Sequence, residues 1–424
     1  MKILIVNTFD KGGAANACLR LHTGLLQEGI DSKVLLKGKQ KNSPHTYILK
    51  PDYEKVTTFQ KIERKVIGAL RAFGLLKKKA IPKKHIFLKS RDKELEFFSF
   101  PDSSFDITTS KLYQEADIIN LHWVADFLDY KSFFKKNTKP VVWTLHDMNA
   151  FTGGEHYEEE YLGIDKDGYP LKRLRTIAEQ NVSNKNLKIK KQAIQGVANL
   201  TIVSPSQWLA KEAKESEVFK SVTIHCIPYG LDAEVFKPRD KVYSKNLLGI
   251  PKDKRVVLFV ADSISNNRKG FVFLKEAFQQ MQMDNVVLCA IGNKMEDIEY
   301  INNIIELGPI NDERLMSVAY SAADVFVIPS LMDNLPNTVL ESLMCGTPVI
   351  GFPVGGIPDM VQDGINGLLA KEISVNALVE VLNTFLNTMD NFDRDSIRSK
   401  AVMKYDLKIQ ANSYINLFGN ILKQ

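Results

Sequence analysis

The sequence is poor in cysteine and lacks long hydrophobic runs. Its four cysteines, Cys18, Cys226, Cys289 and Cys345, lie far apart with no Cys-x-x-Cys pair, so neither a disulfide scaffold nor a cysteine-ligated metal site is indicated. We expect reduced, buried thiols. No apolar stretch reaches the roughly 18–20 residues of a membrane-spanning helix, and MKILIVNTFDKGG predicts a strand and a loop rather than a signal peptide. We therefore expect a cytoplasmic protein that is neither exported nor integral.

Surplus positive charge is also scarce outside one segment. The net charge is +6, yet residues 52–91 alone contain twelve Lys/Arg and three Asp/Glu, which argues against a general nucleic-acid surface. Within that segment the apolar residues recur at three- and four-residue spacing: Phe59, Ile62, Val66, Leu70 and Phe73. The pattern predicts a basic helix that either contacts an anionic membrane surface through residues 59–91 or packs on its own domain with a solvated charged face.

The length and the alternation of strand and helix patterns indicate two domains. The 424 residues exceed the size of about 250–300 residues at which single cores stop growing. Short β-branched runs without strict alternation predict strands buried on both faces, as in parallel sheets. The runs are KILIVNT, SKVLLKG, DIINLHW, PVVWTLHD, LTIVSPS and VTIHCIP, and then RVVLFVAD, VVLCAIG, DVFVIPS and PVIGFP. Helical patterns such as 271–283 and 311–322 separate them, so the fold class is α/β, with two doubly wound domains joined near residues 228–250.

Polar residues that follow these strands are candidate ligands, because open parallel sheets bind ligands beyond the carboxyl ends of their strands. Gly12 and Gly13 follow the first strand and open a helix, where backbone N–H groups can approach an anion; alternatively they serve the turn alone. His146, followed by Asp147, ends PVVWTL and could hold a hydroxyl or polarise a sugar oxygen; alternatively it is a core histidine. We interpret His122, beside Trp123, as structural.

Two cations open a helix in the second half. Arg268 and Lys269 follow RVVLFVAD, and cations there oppose the helix dipole. They are therefore better explained as phosphate ligands than as helix-stabilising residues, with a solvated pair as the alternative.

Two carboxylates flank the start of another helix, in PSLMDNLPNTVLESLMCG. Pro336 suits the first helical position and Gly346 the stop. Asp333 then faces the crevice from the loop, and Glu341 lies roughly 8 Å along the helix axis from Pro336. This spread suits one extended ligand, with a pyranose hydroxyl at Asp333, a diphosphate near the helix N-terminus and a ribose diol at Glu341. Ordinary helix capping is the alternative.

This order of features resembles the retaining GT-B glycosyltransferases of family 4. Residues 329–370 resemble its Glu-x7-Glu segment and the glycine-rich motif after it, and IPYGLDAEVFKP resembles its interdomain linker. HWVADFLDY with KPVVWTLHDMNAFTGGEHY is similar to a branch associated with bacterial surface polysaccharides. The resemblance implies a GT-B architecture of two Rossmann-like domains facing across a cleft: an acceptor domain at 1–228, a linker at 229–250, a nucleotide-sugar donor domain at 251–402, and a helix at 403–424 that crosses back to the first domain.

The resemblance also implies roles for single residues. Glu341 would hold the nucleotide ribose, Asp333 the donor-sugar hydroxyls, and Lys269 the diphosphate. His146 would lie near the sugar at the reaction centre, above the Gly12-Gly13 loop below the phosphates. The predicted catalytic set is His146, Lys269 and Asp333. The predicted donor-binding set is Gly12, Gly13, Arg268, Lys269, Asp333, Asn337, Thr338 and Glu341.

The sequence departs from the family pattern in several places. Asp333 is one methylene shorter than the family glutamate, so its sugar contact would be shifted or water-mediated. Arg268 is the candidate replacement for an arginine that usually precedes the Lys-Gly pair, and Asp359 stands where a glutamate is common. The segment after Gly153-Gly154 lacks the cysteines that some members of the branch have, so we predict no zinc there. No DxD motif occurs in a suitable loop, so we predict no metal and no cofactor besides the donor.

The sequence and its resemblance to this family therefore predict a cytoplasmic retaining glycosyltransferase, which would be peripheral at the membrane if the basic segment binds lipid. It would move a sugar from a nucleotide-diphosphate sugar to a glycan or lipid-linked saccharide, in capsule, O-antigen or exopolysaccharide synthesis. One alternative is a GT-B nucleotide-sugar epimerase, which would need a pair of general bases and no acceptor groove. A glycosidase would need two carboxylates about 5–10 Å apart across one bond and would leave the cations unexplained. A catalytically silent nucleotide-sugar-binding partner is the third alternative. Nucleic acid is not an expected partner.

Overall fold

The computed structural model describes residues 1–50, 66–67, 70, 83–92, 95–281, 283–293 and 303–423. The strands of the first half are β1 (Lys2–Phe9), β2 (Asp31–Gly38), β3 (Thr46–Ile48), β4 (Ile118–Leu121), β5 (Val141–Thr144), β6 (Tyr161–Ile164), β7 (Pro170–Lys172), β8 (Leu200–Ser204) and β9 (Thr223–Cys226). Seven of them form a parallel sheet in the order β3-β2-β1-β4-β5-β8-β9. The other two, β6 and β7, form an antiparallel hairpin.

The second half contains another parallel sheet. Its strands are β10 (Arg255–Ser263), β11 (Val286–Asn293), β12 (Ile304–Gly308), β13 (Val325–Ile328), β14 (Val349–Gly351) and β15 (Gly367–Leu369), in the order β12-β11-β10-β13-β14-β15. In each sheet the strand order reverses beside the first strand, between β1 and β4 and between β10 and β13. These switch points are where a doubly wound sheet opens a crevice for ligands. The predicted fold class, with two Rossmann-like domains, is confirmed.

Helices cover both faces of the sheets. They are α1 (Gly13–Gln27), α2 (Lys83–Ser90), α3 (Lys111–Glu115), α4 (Tyr130–Lys136), α5 (Ile177–Ile194), α6 (Gln207–Glu215), α7 (Lys241–Leu247), α8 (Phe271–Met281), α9 (Glu313–Ala322), α10 (Asn337–Met344), α11 (Val375–Thr388), α12 (Arg394–Tyr405) and α13 (Leu407–Ile421). Most begin where a serine, threonine or aspartate side chain accepts a first-turn N–H. Helix α10 instead begins after Pro336 with no side-chain cap, so its first N–H groups remain for another acceptor.

The C-terminal helix packs on the first domain. Tyr414 and Phe418 of α13 belong to the same buried cluster as Ile5 of β1 and Leu21 of α1, and the Tyr414 hydroxyl lies 2.9 Å from Thr144 Oγ1. A separate cluster fills the other face of the first sheet, and a third forms the core of the second domain. The exact boundaries at 228, 250 and 402 stay predictions.

The structure departs from the sequence prediction in short elements. Strands β3, β6, β7, β12 and β15 were not predicted. They contain three to five residues each, and β3, β12 and β15 lie at sheet edges. Helix α7 lies inside the predicted linker, Pro336 precedes α10 rather than opening it, and Cys226 is half-buried rather than buried.

Most of the predicted basic helix, including Lys61, Lys65 and Lys77, lies outside the described residues. The part of that segment that is described includes α2, which has no buried side chain and leaves Ile86 and Leu88 exposed. Among the helices built from described residues, none combines the length and the apolar character needed to cross a bilayer.

Candidate active site

The predicted site residues lie on both sides of one cleft. On the first domain, Gly12 and Gly13 join β1 to α1, and His146 follows β5. On the second domain, the cations lie in a 3₁₀ turn, Asn267–Lys269, between β10 and α8, and the loop after β13 leads into α10. The two sides touch where Asn337 Nδ2 donates to the Gly13 carbonyl at 3.1 Å. The N-terminus of α10 therefore faces the glycine loop of the other domain.

A glycine pair supports the loop that carries Asp333. A Cβ on Gly355 would lie 1.9 Å from the Asp333 carbonyl oxygen, and one on Gly356 would lie 1.8 Å from that of Asn334. The Gly356 N–H donates to the Asp333 carbonyl at 3.0 Å, and Gly355 adopts a φ of 54°, which favours glycine. Only residues without a side chain let the two loops approach so closely.

Replacing Gly356 with alanine is therefore expected to displace the Asp333 loop. Because the new methyl group would overlap backbone that cannot move away freely, we expect a loss of about 1–3 kcal/mol or more of unfolding free energy. Chemical denaturation would measure it. The control is Gly419→Ala in α13, where a Cβ meets nothing within 4 Å and a glycine-to-alanine change in a helix should gain up to about 1 kcal/mol. Equal effects of the two variants on the unfolding free energy would contradict the role of Gly356 in supporting the Asp333 loop.

The two cations are paired with carboxylates. Lys269 Nζ lies 2.6 Å from Asp333 Oδ2, and Arg268 Nη1 lies 3.4 Å from the same oxygen. Burial works against ionisation of Asp333, but Lys269 and Arg268 outweigh it and hold the pKa of that carboxyl below its usual value. The Lys269 side chain is 26% exposed and that of Arg268 is 13% exposed. Lys269 is therefore the cation more accessible from the cleft.

Glu96 of the first domain holds Arg268 in place. Its Oε1 accepts from Arg268 Nε at 2.7 Å and from Asn266 Nδ2 at 2.9 Å, and the Arg268 guanidinium lies 4.8 Å from the Tyr157 ring centroid. Burial raises the pKa of Glu96, yet Arg268 and Asn266 lower it below its usual value overall. Sequence analysis missed Glu96, which follows no predicted strand and lies near a second glutamate in KELEFF.

Glu341 is bound by an arginine of the other domain. Arg20 Nη2 lies 2.8 Å from Glu341 Oε1, and the Tyr320 hydroxyl donates to Oε2 at 3.1 Å. Arg20 also contacts Asn337 Oδ1 at 3.1 Å and Glu313 Oε1 at 2.8 Å. Burial raises the pKa of Glu341 above its usual value, and Arg20 opposes that rise. A carboxylate has about four acceptor positions, so two bonds leave capacity for a diol.

His146 does not present a free ring nitrogen to the cleft. Its Nδ1 lies 2.7 Å from the Tyr229 hydroxyl and its Nε2 lies 2.9 Å from His122 Nδ1, while its carbonyl accepts from Asn334 Nδ2 at 3.1 Å. Burial lowers the pKa of His146 to about 4, so the ring is neutral at physiological pH. His122, interpreted from the sequence as structural, is a direct partner of His146, and Tyr229 was not predicted at all.

Asp147 lies beside this histidine pair. Its Oδ2 accepts from Trp123 Nε1 at 2.9 Å and lies 2.6 Å from His156 Nδ1. Burial works against ionisation of Asp147, but His156 and these hydrogen bonds lower its pKa overall. The buried Lys190 donates to the Asn149 carbonyl, and burial lowers its pKa to about 7. The first domain thus places a carboxylate and polar rings around one small cavity, lined among others by Tyr130, Trp143 and Asp147.

The buried histidines give stability a defined pH dependence. The pKa of His146 is about 4 in the folded protein against 6.5 when exposed, so between these values the unfolded chain binds the extra proton and stability falls as pH falls. His146 alone contributes about 3 kcal/mol over that range. Denaturation of wild type and His146→Gln from pH 7.5 to 4 should give curves that converge on acidification. Parallel curves would mean that the lowered pKa of His146 does not cause the loss of stability at acidic pH.

Asp359 connects the two domains. Its Oδ2 accepts from the backbone N–H groups of Gln207 and Trp208 at 2.7 and 3.2 Å. These are the first two residues of α6 in the first domain. Thr338 lies half-buried at the second position of α10. Within the described ranges no cluster of three His, Cys, Asp or Glu side chains has the arrangement of a metal site; the absence of a metal requirement stays a prediction.

Residues 254–388 match the model of a protein family described as "Glycosyl transferases group 1". This range contains the Asp333 and Glu341 segment from which the resemblance was drawn. The D-inositol 3-phosphate glycosyltransferase of Streptosporangium roseum is 24% identical over 302 residues, which are 66% of this chain and 64% of that protein. The protein of the same name from Mycobacterium bovis is 25% identical over 279 residues, which are 63% of this chain and 53% of that protein. The chain thus covers less than two thirds of these relatives.

Solved structures show the same fold over the whole chain. The sucrose-phosphate synthase of Thermosynechococcus elongatus matches with a TM-score of 0.68 at 17% identity and full coverage of both chains. Anabaena HepE in complex with UDP-glucose matches with a TM-score of 0.65 at 15% identity, covering 99% of this chain and 100% of the other. The comparisons therefore show the GT-B fold over the whole chain and a match to the group 1 glycosyltransferase family model over residues 254–388.

Proposed function

We propose that this protein is a retaining glycosyltransferase of the family 4 type that transfers a sugar from a nucleotide-diphosphate sugar to a saccharide acceptor. The observation that carries the proposal is the arrangement across the cleft. Lys269, the buried Glu341 and the uncapped start of α10 lie on one domain, and the start of α10 contacts the glycine loop of the other. Together they offer a cation, helix N–H groups and a diol acceptor to one extended ligand.

The donor would lie mostly on the second domain. Its diphosphate would accept from Lys269, Arg268 and the free N–H groups at Asn337 and Thr338, where the helix dipole also favours an anion. Negative charge grows on the diphosphate as the sugar departs, and cations fixed in advance stabilise that charge without reorganisation. The Lys269 contact with Asp333 holds the ammonium in place until the diphosphate shares it.

The sugar would lie between Asp333 and the first domain. In this proposal Asp333 accepts from donor-sugar hydroxyls, and Glu341 accepts from the ribose diol through its two unused positions. The acceptor would bind on the first domain near His146 and Asp147 and attack from the face that the diphosphate leaves. The proposed catalytic residues are Lys269, Asp333 and His146, with no metal ion required.

The acceptor class follows from the motifs rather than from the geometry. The HWVADFLDY and HDMNAFTGGEHY segments favour a glycan or lipid-linked saccharide of a bacterial surface polysaccharide. The names of the similar proteins point elsewhere, one to D-inositol 3-phosphate and the other to the synthesis of sucrose phosphate. Because HepE is described with UDP-glucose, UDP-sugars are the first donors to test.

A peripheral contact with an anionic membrane would suit a lipid-linked acceptor. On α2, Ile86 and Leu88 are exposed beside Lys83 and Lys89, while Lys84 is paired with Asp102. Each basic residue near such a surface contributes about 1 kcal/mol. Co-sedimentation with vesicles containing anionic lipid tests the contact. Equal binding to neutral vesicles, or no binding to either kind of vesicle, would contradict the proposed contact with anionic lipid.

Calorimetric titration with UDP-, GDP- and ADP-sugars tests the function. We expect one donor to bind wild type, and Glu341→Ala and Lys269→Ala to weaken binding by tenfold or more, on the order of 1.4 kcal/mol. Lys252→Ala, at an exposed lysine of the same domain, is the control. Release of the nucleoside diphosphate with a new glycosidic bond identifies a transferase. Binding without turnover identifies a silent partner, and isomerised donor an epimerase. No binding at millimolar concentration would overturn the donor site.

A further inference from the structure

A chain of hydrogen bonds runs from the cleft into the first domain through two histidines. The Tyr229 hydroxyl lies 2.7 Å from His146 Nδ1, and His146 Nε2 lies 2.9 Å from His122 Nδ1. His122 Nε2 in turn lies 3.1 Å from Asn120 Oδ1. Asn120 and His122 are 0% and 3% exposed, so the inner half of the chain is shielded from water.

The buried end of this chain fixes the direction of every bond in it. Asn120 Nδ2 lies 3.0 Å from the Val142 carbonyl oxygen. Since a carbonyl can only accept, the amide nitrogen must point there, and the Asn120 oxygen must face His122. That oxygen can only accept, so His122 Nε2 carries a proton. Thr144 Oγ1, 3.1 Å from Asn120 Nδ2 and 2.9 Å from the Tyr414 hydroxyl, holds the amide from its other side.

The protons of both histidines follow from this fixed end. Burial and the neighbouring His146 lower the pKa of His122 well below its usual value, so its ring carries one proton and its Nδ1 is bare. The bare Nδ1 must accept from His146 Nε2–H. His146 is neutral too, so its own Nδ1 is bare and accepts from the Tyr229 hydroxyl.

We propose that Asn120 and His122 are positioning residues that hold His146 in its Nε2–H tautomer, so that His146 Nδ1 presents a hydrogen-bond acceptor for a sugar hydroxyl. The Tyr229 hydroxyl occupies that acceptor in this structure. The inference rests on the proposed function, because the sugar hydroxyl belongs to one of the two substrates of that reaction, the donor or the acceptor. It assigns a proton to a stated atom and adds two residues that touch no substrate.

A neutral acceptor at this place suits glycosyl transfer. The departing sugar passes through an oxocarbenium-like state that carries positive charge. An imidazolium beside it would raise the energy of that state, whereas the lone pair of a neutral imidazole would stabilise it. The chain ends on a neutral amide rather than a carboxylate, and burial of the His146 ring outweighs the nearby Asp147, which favours the charged form.

Nitrogen-15 NMR of the full-length protein labelled at histidine tests the tautomer directly. We expect His146 and His122 to be protonated at Nε2 and bare at Nδ1 between pH 6 and 8, with signals assigned by their loss in His146→Gln and His122→Asn. The decisive pair is His122→Leu, which removes the acceptor, and His122→Asn, which keeps an oxygen near the Nδ1 position. In His122→Leu we expect His146 to populate both tautomers and kcat to fall roughly 10- to 100-fold, the scale of a misplaced group. In His122→Asn we expect both to recover, with KM for the donor unchanged in each variant.

Three results would overturn the proposal: a proton on His146 Nδ1 in wild type, a cationic His146 at pH 7, or an unchanged kcat in His122→Leu. If His122→Leu does not fold, the wild-type spectrum and His122→Asn decide the question, since a His146 proton on Nδ1 in either one refutes the assignment. The proposed function fails by a different result, the absence of nucleotide-sugar binding. In that case the NMR measurement still decides the tautomer by itself.

Discussion

Replacing Lys269 with methionine is expected to lower kcat/KM for the donor about 100- to 1,000-fold, the usual loss when one fixed partner of a developing charge is removed. Lys269 lies 2.6 Å from Asp333 and is the more exposed of the two cations. Methionine preserves much of the side-chain length and removes the charge together with the N–H donors. Steady-state kinetics with the donor identified by calorimetry would measure the change.

The same substitution should also reduce stability, because Asp333 would keep only Arg268, 3.4 Å away, as a charged partner. A carboxylate that is 7% exposed and loses its nearer cation costs about 1–3 kcal/mol. The double variant Lys269→Met/Asp333→Asn removes the unpaired charge. We expect it to regain most of the stability, which would show that the loss in Lys269→Met comes from the unpaired Asp333 carboxylate.

Lys252→Met serves as the matched control, since Lys252 is an exposed lysine of the same domain outside the proposed site. We expect wild-type kinetics and stability from it. Should Lys269→Met turn over the donor within a few-fold of wild type, the diphosphate role of Lys269 is wrong and Arg268 becomes the candidate.

The central strands could be predicted because burial on both faces leaves a local mark. KILIVNT and RVVLFVAD contain nearly continuous apolar residues and became β1 and β10, the strands beside the two switch points. Edge strands carry a weaker mark, since one side pairs with nothing and the hydrophobic run is short. This explains why the sequence analysis missed β3, β12 and β15.

The site could be predicted one domain at a time. Residues such as Lys269 and Glu341 follow a strand or open a helix, so their position along the chain indicates the cleft. Their partners across the cleft carry no such signal. Arg20 lies in the middle of α1, and Glu96 lies more than 170 residues before Arg268. Which of them meet depends on how the two domains dock, and no local pattern encodes that arrangement.

The histidine chain illustrates the same limit inside one domain. His122 and His146 each follow a strand, β4 and β5, which are neighbours in the sheet. Their proximity follows directly from the pairing of β4 with β5, which the sequence analysis did not predict. Tyr229, which is 5% exposed, comes from the segment after the first domain. The hydrogen bond between its hydroxyl and His146 Nδ1 could therefore not have been inferred from the strands. A tautomer depends on every partner of a ring, and one missing partner is enough to leave it undetermined.

Replacing Arg20 with methionine is expected to destabilise the protein by about 3–5 kcal/mol, as the removal of one partner of a buried ion pair usually does. The Glu341 carboxylate would remain 7% exposed with the Tyr320 hydroxyl at 3.1 Å and no cation. The Arg20 bond to Asn337 would be lost too, so we also expect nucleotide affinity to fall about tenfold. Urea denaturation and calorimetry would measure the two effects. Lys33→Met, at a surface pair with Glu115, should cost less than about 1 kcal/mol.

The pH dependence and a second substitution identify the cause of that loss. Without Arg20, burial raises the pKa of Glu341 further above its usual value. The folded variant then binds a proton that the unfolded chain still releases, so acidification stabilises it relative to wild type. The stability difference should therefore shrink between pH 7 and pH 5. Arg20→Met/Glu341→Gln should lose less than the single variant at pH 7. A difference that stays constant with pH, or a double variant that loses the sum of both single changes, would mean that Arg20 acts through its packing on Phe236 rather than through its charge.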